Sequence, residues 1–154
     1  MLSIDQRKHV NTKYFCMNLE ISTIIKAPIS KVWDALTNPA LIKQYMFGTN
    51  TASDWKVGSP ITFSGDWEGK AYEDKGKILA IEKEKFLKYN YYSAFSGKKD
   101  EQTNYSIITY SVRTEKGQTI FDLTQDNFEN AEAVEHSKKN WQMIFGTIKK
   151  MLEG

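Results

Sequence analysis

The stretch AEAVEHSKKNWQMIFGTIKKML, residues 131–152, decides the fold. Val134, Trp141, Ile144, Phe145, Ile148, Met151 and Leu152 recur at three-, four- and seven-residue spacings, so they share one face of an α-helix. Glu135, Lys138, Lys139, Gln142 and Lys150 occupy the remainder. Asn130 suits the N-cap, Glu132 and Glu135 the positive end of the helix dipole, and Lys149 and Lys150 its negative end. A helix over this stretch is about 33 Å long, the width of a small domain. An apolar side of that length needs a large partner surface. The partner is a sheet, because the chain between Pro60 and Asn127 reads almost entirely as strands.

Period-two alternation with turn chemistry between runs begins at Trp55. Lys56-Val57-Gly58 reads as a turn, and Ile61, Phe63 and Trp67 alternate along the strand that follows. Asp66 to Gly69 suggests a hairpin. Tyr72 to Glu84 carries Ile78, Leu79 and Ile81, and Phe86 to Ala94 carries Leu87, Tyr89 and Tyr91 on one face. After the polar loop Ser96 to Asp100 come two further strands, Tyr105 to Thr114 and Gln118 to Asp126. Glu115-Lys116-Gly117 joins them, with glycine where a hairpin needs positive φ. No proline interrupts these strands after Pro60, as central positions in a sheet require.

Upstream, Leu19, Ile21, Thr23 and Ile25 alternate with Glu20, Ser22 and Lys26 to give the first strand. Ile29, Val32, Trp33 and Leu36 follow helical spacing after Pro28. Asn38-Pro39 breaks that helix and opens a second short one on Leu41, Ile42, Tyr45 and Met46. The order is strand, two short helices, five or six consecutive strands, then one long helix. A run of hairpins needs no crossover, so the sheet is expected to be antiparallel and curved around the long helix. Residues 1–16 lack periodicity and read as a weakly ordered extension, with residues 17–154 as a single domain.

Composition narrows the function classes. Charged residues make up 26% of the 154, and the formal charge is +2, with basic residues scattered singly or in pairs. No stripe of them could track a phosphate backbone, so nucleic-acid binding is disfavoured. No apolar run is long enough for membrane insertion, and the N-terminus carries no signal-like apolar core, which points to the cytoplasm. Cys16 is the only cysteine, and the two histidines, His9 and His136, lie far apart, so neither an intrachain disulfide nor a Cys/His metal site is expected. Nucleophile motifs, phosphate loops and cofactor motifs are absent from the sequence.

Several segments resemble a known family. They are Ile25-Lys26-Ala27-Pro28, the run Val32-Trp33-Asp34-Ala35-Leu36-Thr37-Asn38-Pro39, Trp67-Glu68-Gly69, the strand Gly76 to Glu82, and Asn140-Trp141. Together they resemble the helix-grip fold of the START and Bet v superfamily (SRPBCC). More narrowly, they resemble the homologues of the activator of heat-shock protein 90 ATPase. The likeness runs from about Met17 to the end. It implies an α+β fold, a curved antiparallel sheet wrapped around the C-terminal helix, with a cavity between sheet and helices. The loop Asp54 to Ser59 and the pair Glu84-Lys85 depart from the family's usual pattern.

Aromatic residues make up 13% of the chain, which fills a core or lines a small-molecule site with rings and hydroxyls. The leading reading is a cavity that binds an apolar or amphipathic molecule: lipid-like, sterol-like or aromatic. Its candidate lining is Tyr45, Phe63, Trp67, Tyr89, Tyr91, Tyr110, Phe121, Trp141 and Phe145. Trp33 and Trp141 sit mid-helix on core faces, and Trp33 with Tyr45 would close one end. The alternative is a cavity-based enzyme such as a cyclase or hydrolase, with Asp66, Glu68 or Glu73 as acid/base and Tyr89 or Tyr105 as donors. A second alternative, implied by the family's name, is a co-chaperone that docks a chaperone partner. An enzyme predicts a carboxylate aimed into the cavity beside a ring. A docking protein predicts a filled interior and an apolar patch on the outer sheet face.

Overall fold

Leu19 to Ile25 alternate between the interior and solvent and form strand β1. A computed structural model describes residues 17–153, so the expected N-terminal extension lies outside the described residues. Helices α1 (Ile29–Thr37) and α2 (Pro39–Tyr45) follow. Strands β2 (Asn50–Ser53), β3 (Pro60–Trp67), β4 (Lys70–Glu82), β5 (Phe86–Tyr91), β6 (Ser106–Glu115) and β7 (Gln118–Gln125) come next. Helix α3 (Ala131–Glu153) ends the order.

All pairings are antiparallel, and the sheet runs β1-β7-β6-β5-β4-β3-β2. The hairpin order from β2 to β7 is simply sequential, while β1 closes against the last strand, with Leu19 opposite Gln125. Two hairpins turn on left-handed pairs, Glu68-Gly69 and Lys116-Gly117, in which both residues have positive φ. The caps fall where the sequence put them. The Asn38 side chain accepts from the Ala40 N–H at 3.0 Å, and that of Asn130 from the Ala133 N–H at 2.8 Å.

The inner sheet face and one side of α3 make the core. Trp141, Ile144, Phe145 and Ile148 of α3 are buried against Leu19, Ile25, Ile108, Tyr110, Phe121 and Leu123. Trp33 and Trp141 are both core residues. Polar bonds fix the docking of α3. Buried Gln125 accepts the Trp141 indole N–H at 2.9 Å and the Ser137 hydroxyl at 3.3 Å. Near the other end, Glu153 accepts the Lys26 N–H at 2.8 Å.

Strand β4 bends as it passes β5. Leu79 is an extra residue between the pairs Ile78–Tyr89 and Ala80–Lys88. Close by, a Cβ added to Gly76 would lie 1.7 Å from the Asn90 carbonyl oxygen, so only glycine allows this approach of the two backbones. The bend curls the sheet over α3 and gives the helix-grip architecture expected above. The one strand not read from sequence is β2. It is four residues long, polar and at the edge, and buries only Thr51.

Candidate functional site

A small void lies between α1, α2 and the concave sheet. Its volume is about 10 Å³, the room of a single water, and Leu36, Ile42, Tyr45, Met46, Trp55, Ile61, Phe63, Leu87, Tyr89 and Tyr110 line it. The wall is apolar except for three phenols and the Trp55 indole N–H. Each phenol is placed by its element: Tyr45 by the last turn of α2, Tyr89 and Tyr110 by inward positions on β5 and β6.

The three hydroxyls are not equivalent. Tyr45 donates to the Ala35 carbonyl at 2.9 Å and so ties α2 to α1. Tyr89 and Tyr110 bond to each other at 2.9 Å, with their rings edge to face at 5.7 Å. Two hydroxyls share one bond, so one O–H proton of the pair has no acceptor among the described residues. Burial raises the pKa of all three phenols well above the ordinary tyrosine value, since a phenolate here would be stripped of water. They are neutral donors throughout the physiological range.

Of the nine expected lining residues, Tyr45, Phe63, Tyr89 and Tyr110 border the void. Phe121, Trp141 and Phe145 pack behind it; Tyr110 meets Phe121 at 5.5 Å and Trp141 at 6.0 Å between ring centroids. Tyr91 stands on the far side of Phe63, at 5.8 Å. Trp67 requires a correction. It is 59% exposed, at the end of β3 beside the Glu68-Gly69 turn, and packs on Phe95. Trp33 is buried but does not border the void. Sequence reasoning missed Leu36, Ile42, Met46, Trp55, Ile61 and Leu87, whose apolar character distinguishes them from no other core residue.

The acid/base candidates fare differently. Asp66, Glu68 and Glu73 are all exposed. Tyr105 stacks on Tyr92 at 5.4 Å and donates to Asp100, away from the void. No carboxylate, lysine, arginine or histidine lines the wall. Among the described residues no group of three His, Cys, Asp or Glu side chains could hold a metal ion, and no helix is long and apolar enough to cross a membrane.

Comparison with known proteins places this geometry. The family model for the Activator of Hsp90 ATPase homolog 1-like protein matches residues 26–153. The chain belongs to this family. The solution structure of ChR145 from Cytophaga hutchinsonii is 46% identical, with a TM-score of 0.79 over 88% of this chain and 93% of that one. The Aha1 dimer from Colwellia psychrerythraea superposes with a TM-score of 0.70 at 19% identity, over 88% of this chain and 96% of that one. Ara h 8.0201 shares the fold at 15% identity, with a TM-score of 0.69 over 87% and 95% of the two chains. A search of curated proteins gave no match.

The outer sheet face of this activator-of-Hsp90-ATPase-homolog chain is polar. Asp122 accepts from Ser22 and pairs with Arg113 at 2.7 Å. The apolar positions on it are the cross-strand pair Ile24–Ile120 and, on β6 and β5, Ile107 and Phe86. Of these, Ile24 is the single strongly exposed large side chain among the described residues.

Proposed function

We propose that this chain is a cytoplasmic single-domain binding protein for a small apolar or amphipathic molecule, held between the concave sheet, α1 and α2. The observation that carries the reading is the spare donor of the Tyr89–Tyr110 pair inside an otherwise largely apolar wall. A ligand oxygen at that point would satisfy it, and rings and aliphatic groups would surround the rest of the molecule. The void is too small for such a ligand as it stands, so binding must displace part of the wall. Helix α2 is the part suited to move. It is seven residues long, supplies Ile42 and Tyr45, and runs into Phe47 and Gly48, both at positive φ. The open form is then a minor state that the ligand stabilises.

Catalysis is a poorer fit, because the wall offers no group that titrates near neutral pH. Chaperone docking is also a poorer fit, because the outer face is mostly polar and exposes one large apolar side chain, Ile24. The test is native mass spectrometry of protein purified from its source cells. A reproducible extra mass that is lost on denaturation, and retained less well by the double variant Tyr89→Phe/Tyr110→Phe, which removes both donors, is the expected result. A bare mass, together with no thermal upshift from lipid-like, sterol-like or aromatic polyketide ligands, would overturn the proposal.

A further inference from the structure

The concave side of the sheet carries a second group of side chains, none of which borders the void. Asp74 pairs with Phe63 across the β3–β4 ladder and is half-buried. One carboxylate oxygen accepts the Tyr91 hydroxyl, and the other accepts the Ala94 N–H at 2.8 Å. Both donors are neutral. Asp74 takes part in none of the ion pairs formed among the described residues. Its charge is therefore held in place but not cancelled.

Tyr72 and Phe95 lie beside this carboxylate in the chain, and Trp67 extends the row of rings beyond Phe95. Tyr72 lies two residues away on the same side of β4, and Phe95 follows Ala94 directly. Phe95 meets Tyr72 at 5.6 Å and Trp67 at 5.9 Å between centroids. Trp67 and Phe95 are 59% and 53% exposed, unusual for rings of this size in adjacent positions. The nearest basic residue along this face of β4 is Lys70, the ladder partner of Trp67. Its backbone is four residues from that of Asp74, about 13 Å along a strand, and the two form no ion pair.

A fixed, partly desolvated carboxylate beside open ring faces selects for one kind of guest. An organic cation gains from the charge, more strongly than it would in bulk water, and from the ring quadrupoles. An anion is repelled, and a neutral apolar guest would strip water from Asp74 with nothing in return. We propose that Asp74, Tyr91, Tyr72, Phe95 and Trp67 form a binding site for a small organic ammonium ion with an apolar body. This site does not depend on the cavity reading, since none of its residues lines the void.

The test is an NMR titration with 2-phenylethylammonium, using 3-phenylpropionate and 2-phenylethanol as the matched anion and neutral probe. The amide signals of Ala94 and Phe95 report on the carboxylate and on the ring. The amine is expected to bind roughly tenfold more tightly than the alcohol, and the anion more weakly than either. Asp74→Asn, which keeps an acceptor for the Ala94 N–H, is expected to abolish the amine's advantage. Trp67→Ala is expected to weaken amine and alcohol alike, and Tyr89→Phe to change neither. Equal binding of the three probes, amine preference that survives Asp74→Asn, or no shift at Ala94 and Phe95 with millimolar amine would overturn the proposal.

Discussion

Replacing Tyr89 by Phe removes one oxygen, but the cost falls on Tyr110. Tyr110 is 3% exposed, and its hydroxyl has Tyr89 as its sole partner among the described residues. The single variant leaves that hydroxyl buried with no protein partner, which costs about 1–3 kcal/mol. Tyr110→Phe does the same to the Tyr89 hydroxyl. The double variant removes both polar groups and leaves two rings packed edge to face, so its cost should be below about 1 kcal/mol. The double variant should then be more stable than either single one, a coupling of at least about 1 kcal/mol in the double-mutant cycle. Urea unfolding of the four proteins, followed by tryptophan fluorescence at constant m-value, measures this directly. Additive losses, with the double variant the least stable of the four, would refute the shared-bond reading and with it the spare donor.

Three further outcomes are expected. Tyr45, Tyr89 and Tyr110 have pKa values raised by burial, so each adds stability that is complete below the unfolded value of about 10 and is lost as pH rises toward the folded values. Stability should fall by up to about 4 kcal/mol per pH unit above pH 10. Circular dichroism recorded with phenolate absorbance checks this, and ionisation of all three near pH 10 with the fold intact would contradict it. Gly76→Ala would place a methyl group 1.7 Å from the Asn90 carbonyl oxygen, so it should cost at least about 2 kcal/mol and lower Tm by roughly 5 °C or more in calorimetry. Gln125→Leu strips the buried Trp141 indole N–H of its acceptor and should cost about 1–3 kcal/mol by urea unfolding, with Gln125→Glu, which keeps an oxygen there, losing less.

Much of the architecture was legible because it rests on strong local signals. The apolar side of α3, the asparagine caps and the Lys116-Gly117 turn each follow from a residue type with one dominant use. The Asn50–Ser53 strand was not legible, since a short polar edge strand takes its identity from the neighbour it pairs with. Trp67 shows a second limit. Alternation along β3 puts it on the same side as Phe63, but it cannot tell how far along the strand the helices cover that side. Asp74 does not stand out in the sequence beside Asp66, Glu68 and Glu73 for a related reason. Its side of the sheet follows only from the register that sets it opposite Phe63. The size of the void depends on ångström-scale gaps between rings, to which no sequence pattern corresponds.

The pairing of β1 with β7 also sets a timetable for folding during synthesis. Leu19 pairs with Gln125, so the first strand waits while about a hundred residues are made, roughly 5–20 s at ordinary elongation rates. The meander from β2 to β7 can assemble hairpin by hairpin as it emerges, each closure being local. Its concave apolar face has no cover until α3 leaves the ribosome, because that helix follows every strand of the sheet. Growing chains therefore pass through a stage with an unpaired strand and an uncovered sheet, and shortening the chain before Trp141 would make that stage permanent.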